Sequence, residues 1–228
     1  MDSIDYYNKY AAKVFEETVD QDMSEIRTEF LNLLEEGDTI LDLGCGSGRD
    51  SLIFYELGYD VTAMDASEEM CKLAEIHTGL EVLHMTFEEM DFDSVFDGIW
   101  ACASLLHVPE KELSDILTKI ARALKDSGIL YMSFKLGDFE GFRGERYFCD
   151  YTEDAMEEVL KDNDRFDVVK IWETEDVRSG HSDKSYENIN KTARRNSALF
   201  CRFRPNPGRM RNRLEILDRN ARPELSIF

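Results

Sequence analysis

The sequence predicts an α/β fold built on a mostly parallel sheet. Short apolar runs alternate with amphipathic stretches of helical period, the order of strands joined by crossover helices. The chain has 228 residues, 43% of them hydrophobic and 11% aromatic, enough to bury one sizeable core in a medium domain with an appendage. Three alternate glycines lie between one of the strands and the helix after it, at the end of the strand where open α/β sheets meet their ligands.

Each element follows from its own residues. Residues 6–18 and 23–34 space apolar side chains three and four apart and read as two opening helices. Gly37-Asp38 stops the second, and residues 39–43 form a short buried strand. A helix over 49–57 closes at Gly58, and residues 60–64 alternate as a second strand. Ser67 is an N-cap for a helix through Ile76, with Glu68 and Glu69 near the positive end of its dipole. Residues 80–84 and 96–102 are the third and fourth strands. Pro109 opens a helix over 110–125, which the turn Asp126-Ser127-Gly128 ends before a fifth strand at 129–134. Residues 137–151, rich in glycine and aromatics, read as a long loop. Thr152 caps a helix over 153–160, and residues 166–172 form a sixth strand. A seventh falls on the apolar segment 197–203 or on the more polar 186–192. The parallel crossovers are expected to be right-handed.

Charge narrows the function classes. The chain carries 27 basic and 48 acidic residues, a net −21, and so acidic a body repels phosphate backbones; no nucleic-acid partner is expected. No apolar run approaches the ~18 residues of a membrane span, and the acidic N-terminus is no signal peptide. The expectation is a soluble, cytoplasmic protein. From Arg194 onward the balance reverses, with nine Arg, no Lys and three acids, and with Pro205, Pro207 and Pro223. This divides the chain into a domain over 1–203 and an Arg/Pro-rich tail over 204–228. The tail reads as an anion-binding arm, a disordered tail, a patch offsetting the acidic body, or a fused or out-of-frame extension; a tail without catalytic role is favoured. Cys45, Cys71, Cys102, Cys149 and Cys201 are widely spaced, with no CxxC and four scattered histidines. That argues for free thiols in a reducing compartment and against a disulfide scaffold or a metal site. No residue pattern sets an oligomeric state.

The most informative segment is Leu41-Asp42-Leu43-Gly44-Cys45-Gly46-Ser47-Gly48-Arg49-Asp50. Glycines tolerate positive φ and carry no Cβ, so a ligand can lie against the backbone. The spacing is GxGxG, neither the GxGxxG of dinucleotide folds nor a phosphate loop. Asp42 would sit poorly beside a pyrophosphate but well beside an amino group. Asp65 ends the second strand seventeen residues after Gly48, where a carboxylate can accept from both hydroxyls of a ribose. A nucleoside with an ammonium-bearing tail and no phosphate fits all three features.

Residues 42–48 resemble the first motif of the class I S-adenosylmethionine-dependent methyltransferases, and Asp65 resembles their ribose-binding acid. Residues 96–101 resemble the strand that reaches the donor's methionine end. Residues 124–130 resemble the family's LKPGG turn, with Asp126 for Pro and Ser127 for the first Gly. The resemblance covers roughly residues 5 to 175. Residues 104–109 together with 134–137 look most like small methyltransferases grouped near tellurite-resistance proteins.

The resemblance implies a Rossmann-like, mostly parallel seven-stranded sheet with helices on both faces, S-adenosyl-L-methionine as cofactor, and in-line transfer of its methyl group to a small-molecule acceptor. Asp42 and the turn of Gly44, Cys45, Gly46 and Gly48 would hold the donor's amino-acid part, and Asp65 with Ala66 the ribose. Thr86 and Phe87 would flank the adenine. Ala101 and Cys102 would lie beside the sulfonium through their carbonyls, and Tyr10 on the first helix would fold over the donor. His107 is the candidate base for a hydroxyl or amine; a thiol, thiolate or metalloid anion needs none.

Structural roles compete at several positions. Cys45 reads as a small residue packing under the turn rather than a nucleophile. His107 can equally hydrogen-bond a neighbouring loop, and Tyr6, Tyr7 and Tyr10 can be core rather than lid. Phe87 can be core, and residues 139–148 a substrate cover or a plain surface loop. Two rival functions remain: a non-catalytic donor-binding or interaction protein on the same fold, and a nicotinamide oxidoreductase, which the glycine spacing disfavours.

Overall fold

The computed structural model describes residues 3–175 and 195–204. Helices α1 (Ser3–Thr18) and α2 (Ser24–Leu31) precede β1 (Thr39–Leu43), α3 (Arg49–Glu56), β2 (Asp60–Asp65), α4 (Glu68–Thr78) and β3 (Val82–His84). The chain then returns through β4 (Phe96–Ala101), a 3₁₀ turn (Leu105–His107), α5 (Glu110–Ala123) and β5 (Leu124–Lys135). A hairpin of β6 (Glu140–Arg143) and β7 (Arg146–Cys149), then α6 (Glu153–Asn163), β8 (Phe166–Glu175) and β9 (Arg195–Phe203) complete it. Ser67 and Thr152 cap α4 and α6 as their sequences predict, their hydroxyls accepting from Met70 and Ala155 amides.

The main sheet has seven strands in the order β3-β2-β1-β4-β5-β9-β8. The first five are parallel, and β9 runs antiparallel to both neighbours. The seventh strand thus lies on the apolar late segment; the polar alternative, 186–192, falls outside the described residues. After β3 the chain crosses back over β1 to lay down β4, so the strand order reverses between β1 and β4. This reversal opens a crevice at the carboxyl ends of those strands.

The register sorts side chains onto two faces by strand period. Asp42, Trp100, Tyr131 and Phe200 are lateral neighbours across four strands. The three aromatics pack with Phe30 and Phe54 of α2 and α3, the Trp100 and Tyr131 rings stacking at 4.1 Å. Leu41, Ile99, Leu130 and Cys201 alternate to the other face, under α5 and α6.

Two expectations are corrected. Residues 137–151 are not a plain loop: Glu140–Arg143 pairs with Arg146–Cys149 around Gly144, whose φ is +64°. The pairing is fastened by the Phe142–Tyr147 ring contact at 5.3 Å and by Arg143, which grips Asp150 with two guanidinium nitrogens. Strands this short leave too few alternations to be read by period. The turn Asp126-Ser127-Gly128 does not end a helix but sits within β5 as an irregularity, Ser127 at φ +68°, opposite the register shift between Phe96 and Gly98. At the compositional boundary after residue 203, the Arg204 amide donates to the Arg165 carbonyl at 2.8 Å, and its side chain pairs with Asp167 at 3.0 Å.

Candidate active site

The carboxyl ends of β1, β2, β4 and β5 open into a cavity of about 240 Å3, whose outer wall is α1 and Arg146 of the hairpin. One end is the glycine turn. Gly44 and Cys45 both donate to the Met64 carbonyl at 2.9 Å, pinning the turn to β2. Gly44 has φ +79°, and a Cβ there would lie 2.5 Å from that of Ser104. Gly46 has φ +56° with nothing within 4 Å of where a Cβ would point, so bare backbone faces open space. Gly48, at φ +74°, serves packing instead. A Cβ there would meet Thr78 at 2.6 Å, so this glycine lets α3 start against α4.

Two buried carboxylates border this turn. Asp65 accepts from the Gly46 amide at 2.9 Å and the Ser67 amide at 2.8 Å. Burial raises its pKa, against the pull of those amides. Asp42 is 2% exposed and accepts from Ser51 Oγ at 2.5 Å. Burial, and then the charge of Asp50, pushes it up to about 7. Asp50 behaves oppositely. Burial would raise it, but Arg49 and Arg27 hold it below the usual carboxylate range; Arg27 pairs with it at 2.6 Å, Arg49 at 2.6 Å, and Trp100 Nε1 donates at 3.1 Å. The charge on Asp50 is thus compensated inside the protein, whereas among the described residues that on Asp42 has a serine hydroxyl as its direct partner.

Both cysteines at this end are thiols. Burial raises Cys45 well above its ordinary value and, with Asp50, pushes Cys102 up to about 12. Cys45 packs with Ala63, Cys71, Ala74 and Val82, as a small residue under the turn.

The rest of the lining is assembled from distant segments. Ala103 takes φ +53°, uncommon for a residue with a Cβ, and its amide donates to Ser133 Oγ at 2.9 Å. Ser104 is 8% exposed, and its Oγ has no hydrogen-bond partner among the described residues. Lys135, from the end of β5, and Arg146 line the wall beside them. His107 Nδ1 lies 2.6 Å from the Tyr147 carbonyl, and its Nε2 lies 2.8 Å from Tyr7 Oη.

Of the positions singled out in sequence, Asp42, Gly44, Cys45, Gly46, Asp65, Ala66, Phe87, Cys102 and His107 line this cavity. Gly48, Thr86, Ala101 and Tyr10 are not among its lining residues. Ala101 is fully buried within β4. Thr86 turns its amide to Glu89 at 2.8 Å. Tyr10 sits at a kink of α1, its ring against Tyr6 at 4.8 Å. The tyrosine of α1 that lines the cavity is Tyr7, three residues earlier; the aromatic stripe signalled the helix but not which ring turns inward. Arg49, directly after the glycine motif, was missed, as were Ser104, Lys135 and Arg146, which tertiary packing brings to the cavity. Among the described residues no three His, Cys, Asp or Glu come together as a metal site, and no helix is long and apolar enough to cross a membrane.

Residues 40–128 match the methyltransferase domain family. An uncharacterized methyltransferase of Staphylococcus carnosus is 27% identical over 174 residues, covering 69% of this chain and 83% of that protein. The cypemycin N-terminal methyltransferase of Streptomyces is 32% identical over 102 residues, 42% of each; the chain thus spans less than half of that relative. In fold, the chain resembles the 1,6-didemethyltoxoflavin-N1-methyltransferase of Burkholderia thailandensis, solved with 1,6-didemethyltoxoflavin and S-adenosylhomocysteine. The TM-score is 0.69 at 21% identity, over 89% of this chain and 87% of that one. The narrower likeness to methyltransferases near tellurite-resistance proteins is carried by none of these. The family match from β1 into β5, the strand order and the glycine turn together support a class I S-adenosylmethionine-dependent methyltransferase.

Proposed function

We propose that the chain methylates a small-molecule acceptor held over the carboxyl ends of β4 and β5. What carries this reading is one walled cavity whose lining combines two buried carboxylates and a glycine turn with hydroxyls, an imidazole and cations. The carboxylates and the glycine turn suit the donor. Asp42, buried without a direct cationic partner, matches an ammonium, and Asp65 with Ala66 matches ribose hydroxyls, which donate to a carboxylate. The open space at Gly46 admits the methionine portion, and Phe87 the adenine, with Thr86 at its edge. The carbonyls of Ala101 and Cys102 belong beside the sulfonium. Tyr10 acts on the donor only through the helix that carries it, and Gly48 through the seat of α3 on α4.

The bound donor supplies an electrophilic methyl group that needs no chemical activation by the protein. The chain's contribution is to bind, to orient and to exclude water, bringing the attacking atom to ~3–3.5 Å. A hydroxyl or amine also needs a proton acceptor, and His107 lines the same cavity. Of two relatives, the one solved with 1,6-didemethyltoxoflavin supports a compact acceptor, and the other is named for the N-terminus of cypemycin. The domain extends through Arg204, with a tail of no catalytic role beyond it. Calorimetric titration with S-adenosylhomocysteine and with NADH tests the reading: tight binding of the first alone is expected, and binding of NADH alone would overturn it.

A further inference from the structure

We propose that Tyr7 Oη is the atom that receives the acceptor's proton, so that the acceptor is a hydroxyl or N–H compound rather than a thiolate. The proposal rests on the methyltransferase reading above and adds to it a residue and a substrate class.

The tautomer of His107 follows from its partners. The Tyr147 carbonyl can only accept, so Nδ1, 2.6 Å away, carries the proton. In the neutral ring Nε2 is then an acceptor, and Tyr7, 2.8 Å away, donates its hydroxyl hydrogen to it. The basic lone pair of the imidazole is therefore directed at Tyr7. A phenol that gives its hydrogen away keeps oxygen lone pairs to accept another, and Tyr7 lines the cavity. Tyr7 is held from both sides. Ser3 Oγ accepts the Tyr147 amide at 3.0 Å, and Lys9 pairs with Glu145 at 3.0 Å, so α1 is tied to the hairpin before and after it. The His107 ring meets Tyr7 at 5.4 Å and Phe148 at 4.9 Å, which fixes its plane.

The proton balance is direct. A sulfonium that loses its methyl becomes a neutral thioether, so one positive charge leaves as the acceptor's proton. The acceptor's O–H or N–H bond breaks as a bond to Tyr7 Oη forms, and the original Tyr7 hydrogen passes to His107 Nε2. The imidazolium then donates through Nδ1 to the Tyr147 carbonyl, until it releases its proton to water. A thiolate brings no proton and leaves this relay idle.

The test uses the full chain with S-adenosylhomocysteine bound and its histidines labelled with ¹⁵N. The Nδ1–H tautomer is expected at His107. Tyr7→Phe should move the Nε2 resonance while S-adenosylhomocysteine affinity stays within about twofold. With S-adenosylmethionine and phenol, benzimidazole or thiophenol as acceptor, Tyr7→Phe should lower kcat ~100-fold or more on the first two and spare the third. A proton found on Nε2, an Nε2 resonance unmoved by Tyr7→Phe, or full activity of Tyr7→Phe on phenol each overturns the proposal. If none of the three acceptors is methylated, the tautomer and resonance shift decide alone. Failure of the parent chain to bind S-adenosylhomocysteine would instead remove the methyltransferase reading.

Discussion

Two parts of the cavity lining are built differently. The part proposed for the donor comes from one continuous stretch, β1 through the glycine turn, plus the last residue of the adjoining strand. The part proposed for the acceptor draws on α1, the turn after β4, the end of β5 and the hairpin, segments up to 144 residues apart in the Ser3–Tyr147 contact. A site held by backbone geometry and one strand pairing is specified locally. A site held by side chains meeting across the fold is specified by packing, and its residue types are free to follow the acceptor.

Substitutions that attack the local end should have the largest effects. Gly44→Val places a Cβ where Ser104 already stands, 2.5 Å away, at a φ of +79°. Loss of S-adenosylhomocysteine binding is expected together with a clear drop in melting temperature, since both the turn and the β4 loop must move. Calorimetry and thermal unfolding of the same sample check it. Asp65→Ala removes the acceptor of two backbone amides as well as the proposed ribose contact, and should weaken S-adenosylhomocysteine by ~1–3 kcal/mol. Unchanged affinity would take Asp65 out of the site.

Asp42→Asn separates function from stability. The carboxylate's folded pKa of about 7 lies above its unfolded value of ~3.9, so folding favours the protonated form. Stability from this group is full below pH ~4 and declines as pH rises toward 7. Asparagine can still accept from Ser51 and carries no buried charge, so the variant should melt a few degrees higher at pH 8. Its affinity for S-adenosylhomocysteine should nevertheless fall, because the ammonium loses its counter-charge. In the parent chain the same affinity should drop about tenfold between pH 8 and pH 6, as Asp42 takes up a proton. Titrations at the two pH values, with Asp42→Asn showing the smaller change, check both signs.

The same contrast separates what is legible in the sequence from what is not. The parallel strands and the positions of Asp42, Gly44, Gly46 and Asp65 were legible because strand period and glycine spacing act over a few residues. His107 was visible as a histidine after β4, but its partner Tyr7 was not distinguishable from Tyr6 and Tyr10 on the same helix. The hairpin was hidden because four-residue strands carry little alternation, and its role depends on Arg143 meeting Asp150. Gly48 shares the motif in sequence, and the packing it allows against Thr78, thirty residues away, is not legible there. The smallest effect is expected furthest from either end. Truncation after Arg204 keeps the Arg165 and Asp167 contacts and should leave melting and cofactor affinity unchanged; a markedly lower melting temperature would make the tail part of the domain.

The most direct test is titration of the parent chain and of Gly46→Val with S-adenosylhomocysteine, alongside circular dichroism of both. A Cβ at Gly46 meets no protein atom within 4 Å and points into open space, so the sheet should survive at a cost of ~1–3 kcal/mol for the left-handed backbone. Binding by the parent is expected, together with a folded variant that does not bind. A folded Gly46→Val that binds like the parent, or a parent that does not bind at all, would contradict a donor site at the glycine turn.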